Sequence, residues 1–155
     1  MDRPEGYRQR LRLHLIESEG YREKPYVDSK GIPTIGVGHN LRARPLEGEY
    51  LAYYRANNSL SRDLVLRLLD DDIAIAERDA ERLFPDIWTY TEGRQVGLVD
   101  LLFNMGYATM LQFKPTIAHV RAQEWEDVAK HLEGSKWYKD VGRRGPKVVR
   151  LLRFG

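Results

Sequence analysis

Residues 19–39 read Glu-Gly-Tyr-Arg-Glu-Lys-Pro-Tyr-Val-Asp-Ser-Lys-Gly-Ile-Pro-Thr-Ile-Gly-Val-Gly-His, and their texture differs from that of the chain on either side. Pro25, Gly31, Pro33, Gly36 and Gly38 forbid a helix, while Thr34, Ile35 and Val37 are β-formers. Asp28-Ser29-Lys30-Gly31 between two short apolar pieces predicts a hairpin turn, and so a small antiparallel sheet. Upstream, Tyr7, Leu11, Leu15 and Ile16 recur at helical spacing, which predicts a helix over 4–19 that Gly20 stops. Downstream, Pro45 opens a short helix through Tyr54, and Asn57-Asn58-Ser59 is a loop. Ser61 and Asp63 then cap the longest periodic stretch. There Leu64, Leu68, Leu69, Ile73, Ala76, Ala80 and Leu83 predict a helix from Arg62 to Phe84, about 33 Å long and ended by Pro85. Shorter helices are expected over 91–105, 115–122, 124–133 and 147–152. The fold class is α+β, in one domain over 1–155. A sheet lobe occupies about 20–60 and a connecting helix about 61–84. The helical lobe takes about 85–155 together with helix 4–19.

Composition excludes several functions. The 155 residues are 42% hydrophobic and 31% charged, the balance of a folded chain. With no cysteine there are no disulfides, no thiolate nucleophile and no cysteine-held metal. The histidines, 14, 39, 119 and 131, show no ligand spacing, so neither a zinc site nor any cofactor is expected. No apolar run approaches the ~20 residues of a membrane span, so no membrane insertion is expected. The opening MDRPEGYRQRLRLHLIESEG is charged throughout and has no signal-peptide core, which predicts retention in the cytoplasm until something releases the protein.

The net charge of +2 hides an asymmetry. Residues 61–92 carry nine acids and four bases, a local −5, whereas 111–155 carry five acids and ten bases, a local +5. A basic face implies an anionic partner, although two solvated surfaces explain the same counts. Nucleic acid is not expected as that partner. Arg143, Arg144, Lys147, Arg150 and Arg153 are interleaved with Val148, Val149, Leu151 and Leu152, and no recognition motif is present. Gly36-Val37-Gly38 lacks the third glycine and the Lys-Ser/Thr of a phosphate loop; it fits a strand that another group approaches closely.

Glu19 and Asp28 make a pair worth weighing. One ends a helix and the other sits in a hairpin turn nine residues on, so the fold can bring them to opposite walls of a cleft. Two carboxyls in different environments are what hydrolysis of a glycosidic bond needs. Among 23 acids, however, the pair alone is equally explained as solvated surface charge.

The neighbouring residues make the pattern specific. Glu19-Gly20, then Tyr26 and Asp28, then Thr34-Ile35-Gly36-Val37-Gly38-His39 resembles, at the same intervals, the opening of the phage-type lysozymes, glycoside hydrolase family 24. Phe103-Asn104-Met105-Gly106 is similar to that family's segment beside the cleft. Glu124–Ala129 with Trp137-Tyr138 is similar to its late helix and aromatic pair, and Arg143-Arg144 to its basic segment. The resemblance covers about residues 7–153; residues 44–60 match no part of it, and Gly145-Pro146 breaks the helix expected after the arginines.

The resemblance implies a lysozyme-like two-lobe fold and hydrolysis of the β-1,4 bond between N-acetylmuramic acid and N-acetylglucosamine in bacterial peptidoglycan, with inversion. Glu19 is then the acid that protonates the leaving oxygen, shielded by the lobe junction so that it keeps its proton near neutral pH. Asp28 is the base, and Thr34 holds the attacking water. For Thr34 the plain alternative is a β-former in a strand. Phe103, Asn104, Thr116 and His131 are candidates for the saccharide wall, with ordinary core the alternative for Phe103. Trp125 and Trp137 read as core, and Tyr50, Tyr53 and Tyr54 as a possible extension of the cleft. His39 and Asp72 form a structural pair tying the sheet to the long helix. The expected biological role is that of a monomeric endolysin, held in the host cytoplasm and admitted to the wall by a separate membrane-permeabilising protein. A wall-binding or phage structural module of the same fold without turnover, and a chitosanase-like hydrolase, remain the other readings.

Overall fold

The computed structural model describes residue 4 and residues 6–155. Its order is α1 (Tyr7–Glu19), β1 (Arg22–Val27), β2 (Pro33–Gly36), β3 (His39–Asn40), α2 (Gly48–Asn57), α3 (Arg62–Leu83), a 3-10 turn (Ile87–Thr89), α4 (Glu92–Met105), α5 (Tyr107–Met110), α6 (Lys114–Arg121), α7 (Trp125–Glu133), α8 (Lys136–Asp140) and α9 (Arg144–Phe154). The three strands form one antiparallel sheet in the order β1-β2-β3, as the α+β reading requires. Residue 5, inside the helix expected over 4–19, lies outside the described residues. None of the described helices is long and apolar enough to cross a membrane.

The chain divides into two compact units, one of Arg12–Asp72 and the other of Ile73–Gly155 with the N-terminal segment as far as Leu11. The divisions fall inside α1 and inside α3, so neither long helix belongs to a single unit. In the first unit, Leu15, Ile35, Val37, Leu60, Val65 and Leu69 are the buried apolar residues around which the sheet and helices gather. Arg12 grips Asp70 through two hydrogen bonds of 2.7 and 2.8 Å, fixing the second half of α1 to the first half of α3. The Leu60 amide donates to the Glu23 carbonyl at 2.8 Å, which ties the loop before α3 to β1.

In the second unit α9 packs against both α4 and α7. Close approach is possible because Gly97 faces α9: a Cβ there would sit 2.9 Å from Leu152 Cδ2. Arg94 on α4 donates to the carbonyls of Leu152 and Arg153, each at 2.9 Å, and so satisfies the last carbonyls of α9. The buried pair Arg144–Asp100, with its shortest contact at 2.5 Å, joins the start of α9 to α4.

Several expectations need correction. Pro45 does not open a helix; α2 starts at Gly48 and runs to Asn57, and Asn58 closes it in a left-handed conformation (φ 55°) with its amide on the Tyr54 carbonyl. Gly145-Pro146 does not break α9, which begins at Arg144 and carries the proline in its first turn, where the missing N–H removes no helical hydrogen bond. Gly36-Val37-Gly38 is not continuous strand: Gly36 (φ 68°) and Gly38 (φ 66°) turn β2 back onto β3. The short helices α5 and α8 have no counterpart in the sequence reading, because four or five residues show no periodicity.

Ser61 caps α3 as its position suggested, with Oγ accepting from the Leu64 amide at 3.2 Å; Thr91, expected inside a helix, instead caps α4, with Oγ1 accepting from the Arg94 amide at 3.4 Å.

His39 and Asp72 meet as expected. His39 Nδ1 lies 2.8 Å from Asp72 Oδ2, and the side chains are 4% and 5% exposed. Removing one partner leaves a buried polar group of the other short of a hydrogen bond, at a cost of about 1–3 kcal/mol. His39→Ala and Asp72→Ala are each expected to lose stability on that scale in urea unfolding, and the double variant to lose less than the sum. Strictly additive losses would show that the two side chains do not interact.

Candidate active site

The first unit holds Glu19, Asp28 and Thr34. Glu19 is the last residue of α1. Gly20 ends the helix in a left-handed conformation (φ 82°), with its amide returning to the Ile16 carbonyl at 2.8 Å. The Glu19 carboxyl then lies over the turn at Gly38: a Cβ on Gly38 would fall 2.7 Å from both Glu19 Cδ and Oε2. Gly38 is therefore required twice, once by its positive φ and once by the carboxyl resting on its Cα. The close backbone approach read from Gly36-Val37-Gly38 is real, and the group that approaches is Glu19.

Asp28 starts the β1–β2 turn and closes it on itself. Asp28 Oδ1 accepts from the amides of Lys30 (2.8 Å) and Ile32 (2.9 Å), the local hydrogen bonding that makes aspartate a turn former. Among the described residues Oδ2 takes no hydrogen bond. Ile32 does more than close the turn. Its carbonyl accepts both the Asp28 amide at 3.0 Å and the Thr34 hydroxyl at 2.8 Å. One residue's backbone therefore holds the Asp28 carboxylate through its N–H and the Thr34 hydroxyl through its C=O. Thr34 is 4% exposed, and because its proton is committed to Ile32 its oxygen is left as an acceptor.

Tyr26 reports that the two carboxylates share a neighbourhood. Its phenol is pushed above the ordinary tyrosine range, first by burial and then by the negative charges of Glu19 and Asp28, against the opposing charge of Arg22. The Arg22 guanidinium lies over the Tyr26 ring at 4.7 Å from its centre. Tyr26 faces Thr34 across the β1–β2 ladder.

Behind this loop, Asp72 binds more than His39. Arg44 Nη2 also contacts Asp72 Oδ1, and His39 Nε2 lies 2.8 Å from the Arg44 carbonyl. Both ring nitrogens of His39 thus face oxygen atoms. Arg44 was missed because residues 44–60 matched no pattern. On α2, Tyr50 donates to Asp71 at 2.6 Å, and burial together with that bond pushes its phenol upward. Its hydroxyl is committed to α3.

The proposed saccharide wall lies in the other unit. Phe103 and Asn104 are half-buried near the end of α4, Thr116 is 2% exposed on α6, and His131 is exposed on α7. Asn104 Oδ1 accepts from Trp137 Nε1 at 2.9 Å, leaving the amide NH2 as its donor. Trp137 is buried, as read, whereas Trp125 is only half-buried, set edge-on to Tyr90 and under the Arg94 guanidinium.

The first unit therefore carries a carboxyl at a helix end, and a turn-held carboxylate and a buried hydroxyl on the β-hairpin. The family model for phage lysozymes matches residues 16–153, and the chain belongs to the phage lysozyme family; it is an enzyme domain of lysozyme type. It is 25% identical over 160 residues to a probable T4-type lysozyme 2 of Dictyostelium discoideum, covering 94% of each chain. It is also 25% identical over 155 residues to the pre-baseplate central spike protein Gp5 of Enterobacteria phage T4, with 91% of this chain matching 27% of that protein. The peptidoglycan hydrolase gp36 of Pseudomonas phage phiKMV is 22% identical over 141 residues, with 91% of this chain matching 15% of that protein. The chain therefore spans nearly all of the first relative and a minor part of the other two.

Gly38→Ala places a methyl where Glu19 lies and strains a left-handed backbone, at about 1–3 kcal/mol. The variant is expected to melt lower and, in a crystal structure, to show the Glu19 carboxyl displaced from the turn. An unmoved carboxyl would show that the contact is incidental.

Proposed function

We propose that the chain hydrolyses the β-1,4 bond between N-acetylmuramic acid and N-acetylglucosamine in bacterial peptidoglycan, with inversion at the anomeric carbon. Glu19 gives its proton to the departing glycosidic oxygen. Asp28 takes a proton from a water that attacks the opposite face of the sugar, and Thr34 orients that water. The observation that carries this reading is the double grip of Ile32. A water that donates one hydrogen to Asp28 Oδ2 and the other to Thr34 Oγ1 keeps its oxygen lone pairs free for attack. Both acceptors are fixed in advance by the same backbone, which is the positioning that a displacement by water requires. Membership of the phage lysozyme family and similarity to a protein named a peptidoglycan hydrolase support the substrate.

A second reading has a specific observation in its favour. Similarity to the central spike protein suits a phage structural module of this fold, carried on the virion. The retention of Glu19, Asp28 and Thr34 together favours turnover over a purely structural use. A turbidity assay on outer-membrane-stripped bacteria separates the two: lysis supports the enzyme, and binding without lysis supports the module.

Glu19→Gln keeps the shape of the side chain and removes the proton donor. General acid help is worth ~10²–10⁴-fold, so the variant is expected to fold normally and lose lysis by that factor. A residual rate of about a tenth of the parent's would mean that the acid is another residue.

The stereochemical outcome is checked separately. An inverting enzyme leaves ~6.5–9.5 Å between its carboxyls for a water, and a retaining one closes them to ~5–5.5 Å so that one attacks directly. A hydroxyl beside Asp28 serves a water and is of little use to a direct nucleophile. Proton NMR on early products, before mutarotation, is expected to show the α-anomer; early β-anomer would assign the retaining mechanism instead.

A further inference from the structure

Three potential metal ligands, His119, Glu124 and Asp127, meet where α6 turns into α7 in the second unit, with His131 stacked beside them. His119 projects from α6, Glu124 immediately precedes α7, and Asp127 and His131 lie one helical turn apart on α7. Asp127 and His131 therefore share a face. Ligand atoms of His119, Glu124 and Asp127 all lie within 4.8 Å of one another. His119 Nδ1 is 3.0 Å from Glu124 Oε1. The His131 ring is stacked on that of His119, with centres 4.9 Å apart and planes at 28°. We propose that this cluster is a binding site for a first-row divalent transition metal ion, with zinc as the representative, and that the ion clips α6 to α7.

The donor set suits that class. Two imidazoles with two carboxylates are ligands for zinc and its neighbours, whereas magnesium and calcium prefer oxygen alone. A tetrahedral ion with bonds of ~2.0–2.2 Å holds its ligands about 3.3–3.6 Å apart. The His119–Glu124 spacing is already close to that, and Asp127 needs only a small inward shift. His131 is exposed, so its ring is free to turn from the stack toward the shared centre.

The scaffold is prepared and the ligands are not otherwise spent. The Glu124 amide returns to the His119 carbonyl at 2.9 Å, and Gln123 adopts a left-handed conformation (φ 56°) that folds Glu124 back toward α6. Buried Ile117 and Val120 on α6, with Val128, Ala129 and Leu132 on α7, anchor the two helices. Among the described residues Asp127 and His131 make no hydrogen bond or ion pair. The sequence gives little sign of the site because its spacing, His-x4-Glu-x2-Asp-x3-His, spans a turn that brings the first two residues round to the last two.

Calorimetric titration of the full chain with zinc chloride tests this, with the Tm read in parallel. One equivalent is expected to bind, and at 100 times its Kd zinc is expected to raise the Tm by about 5 °C or more. His119→Ala and His131→Ala should each weaken binding by about tenfold or more and remove the Tm rise. Because His131 is exposed and His119 only half-buried, the metal-free variants should fold with the parent's circular dichroism spectrum. No uptake at millimolar zinc would overturn the proposal. So would an affinity unchanged in both variants, or equal binding of magnesium, which would make the cluster a nonspecific acidic surface.

Discussion

Asp72 is a carboxylate only 5% exposed, and it receives a histidine and an arginine from one short stretch of chain, His39 and Arg44. A buried carboxylate without partners would cost several kcal/mol, so the segment carrying both of its partners is obliged to lie against α3. That obligation sets the end of the sheet. β3 consists of only His39 and Asn40, too short to hold its place by ladder hydrogen bonds, and it stays because His39 is held by Asp72 on one side and by the Arg44 carbonyl on the other. With β3 fixed, Thr34 and Ile35 have partners in Asn40 and His39, β2 has a register, and the turn at Gly38 that receives Glu19 has an address.

The geometry of the candidate site follows from backbone more than from side-chain packing. Asp28 is clamped by two amides of its own turn, and Thr34 by a carbonyl two residues away. Short loops of this kind have few rotatable bonds between the groups they position, so the separation of Asp28 and Thr34 is set locally and does not depend on repacking elsewhere. Glu19 is placed differently. Its helix must stop at one residue, and the turn beneath it must lack a side chain. Two glycines with positive φ, Gly20 and Gly38, meet those two demands.

How much of this was legible follows from the same distinction. The hairpin, the helix stop and the periodicity of α3 are written in neighbouring residues, so the sheet and the long helix could be read locally, whereas the roles of Glu19 and Asp28 rested only on family resemblance. The His39–Asp72 contact, 33 positions apart, came only through family resemblance. Arg44 was not read at all, because an arginine in an unmatched loop looks like any solvated cation until its partner is known. The proline at 146 was misread for the opposite reason. A strong local signal was taken as a break, when in the first turn of a helix the same ring is tolerated.

The second unit was read as helices and wall residues, and there local pattern was least informative. Gly97 gives no sign in sequence that it faces Leu152, nor do Arg94 and Asp100 that they hold the two ends of α9. Each is a long-range contact made by a residue type common on surfaces. These contacts accompany a largely buried α4: nine of its residues are buried, among them Asp100, whose carboxylate is answered by Arg144, and Gln95, whose Nε2 donates to the Tyr90 carbonyl while its Oε1 has no partner among the described residues. Hydrogen-bond partners of this kind let a buried helix carry polar groups. In α4 two of those answers come from the start of α9 and from the residue before the Thr91 cap, so the polar groups fix where the helix sits as well as what surrounds it.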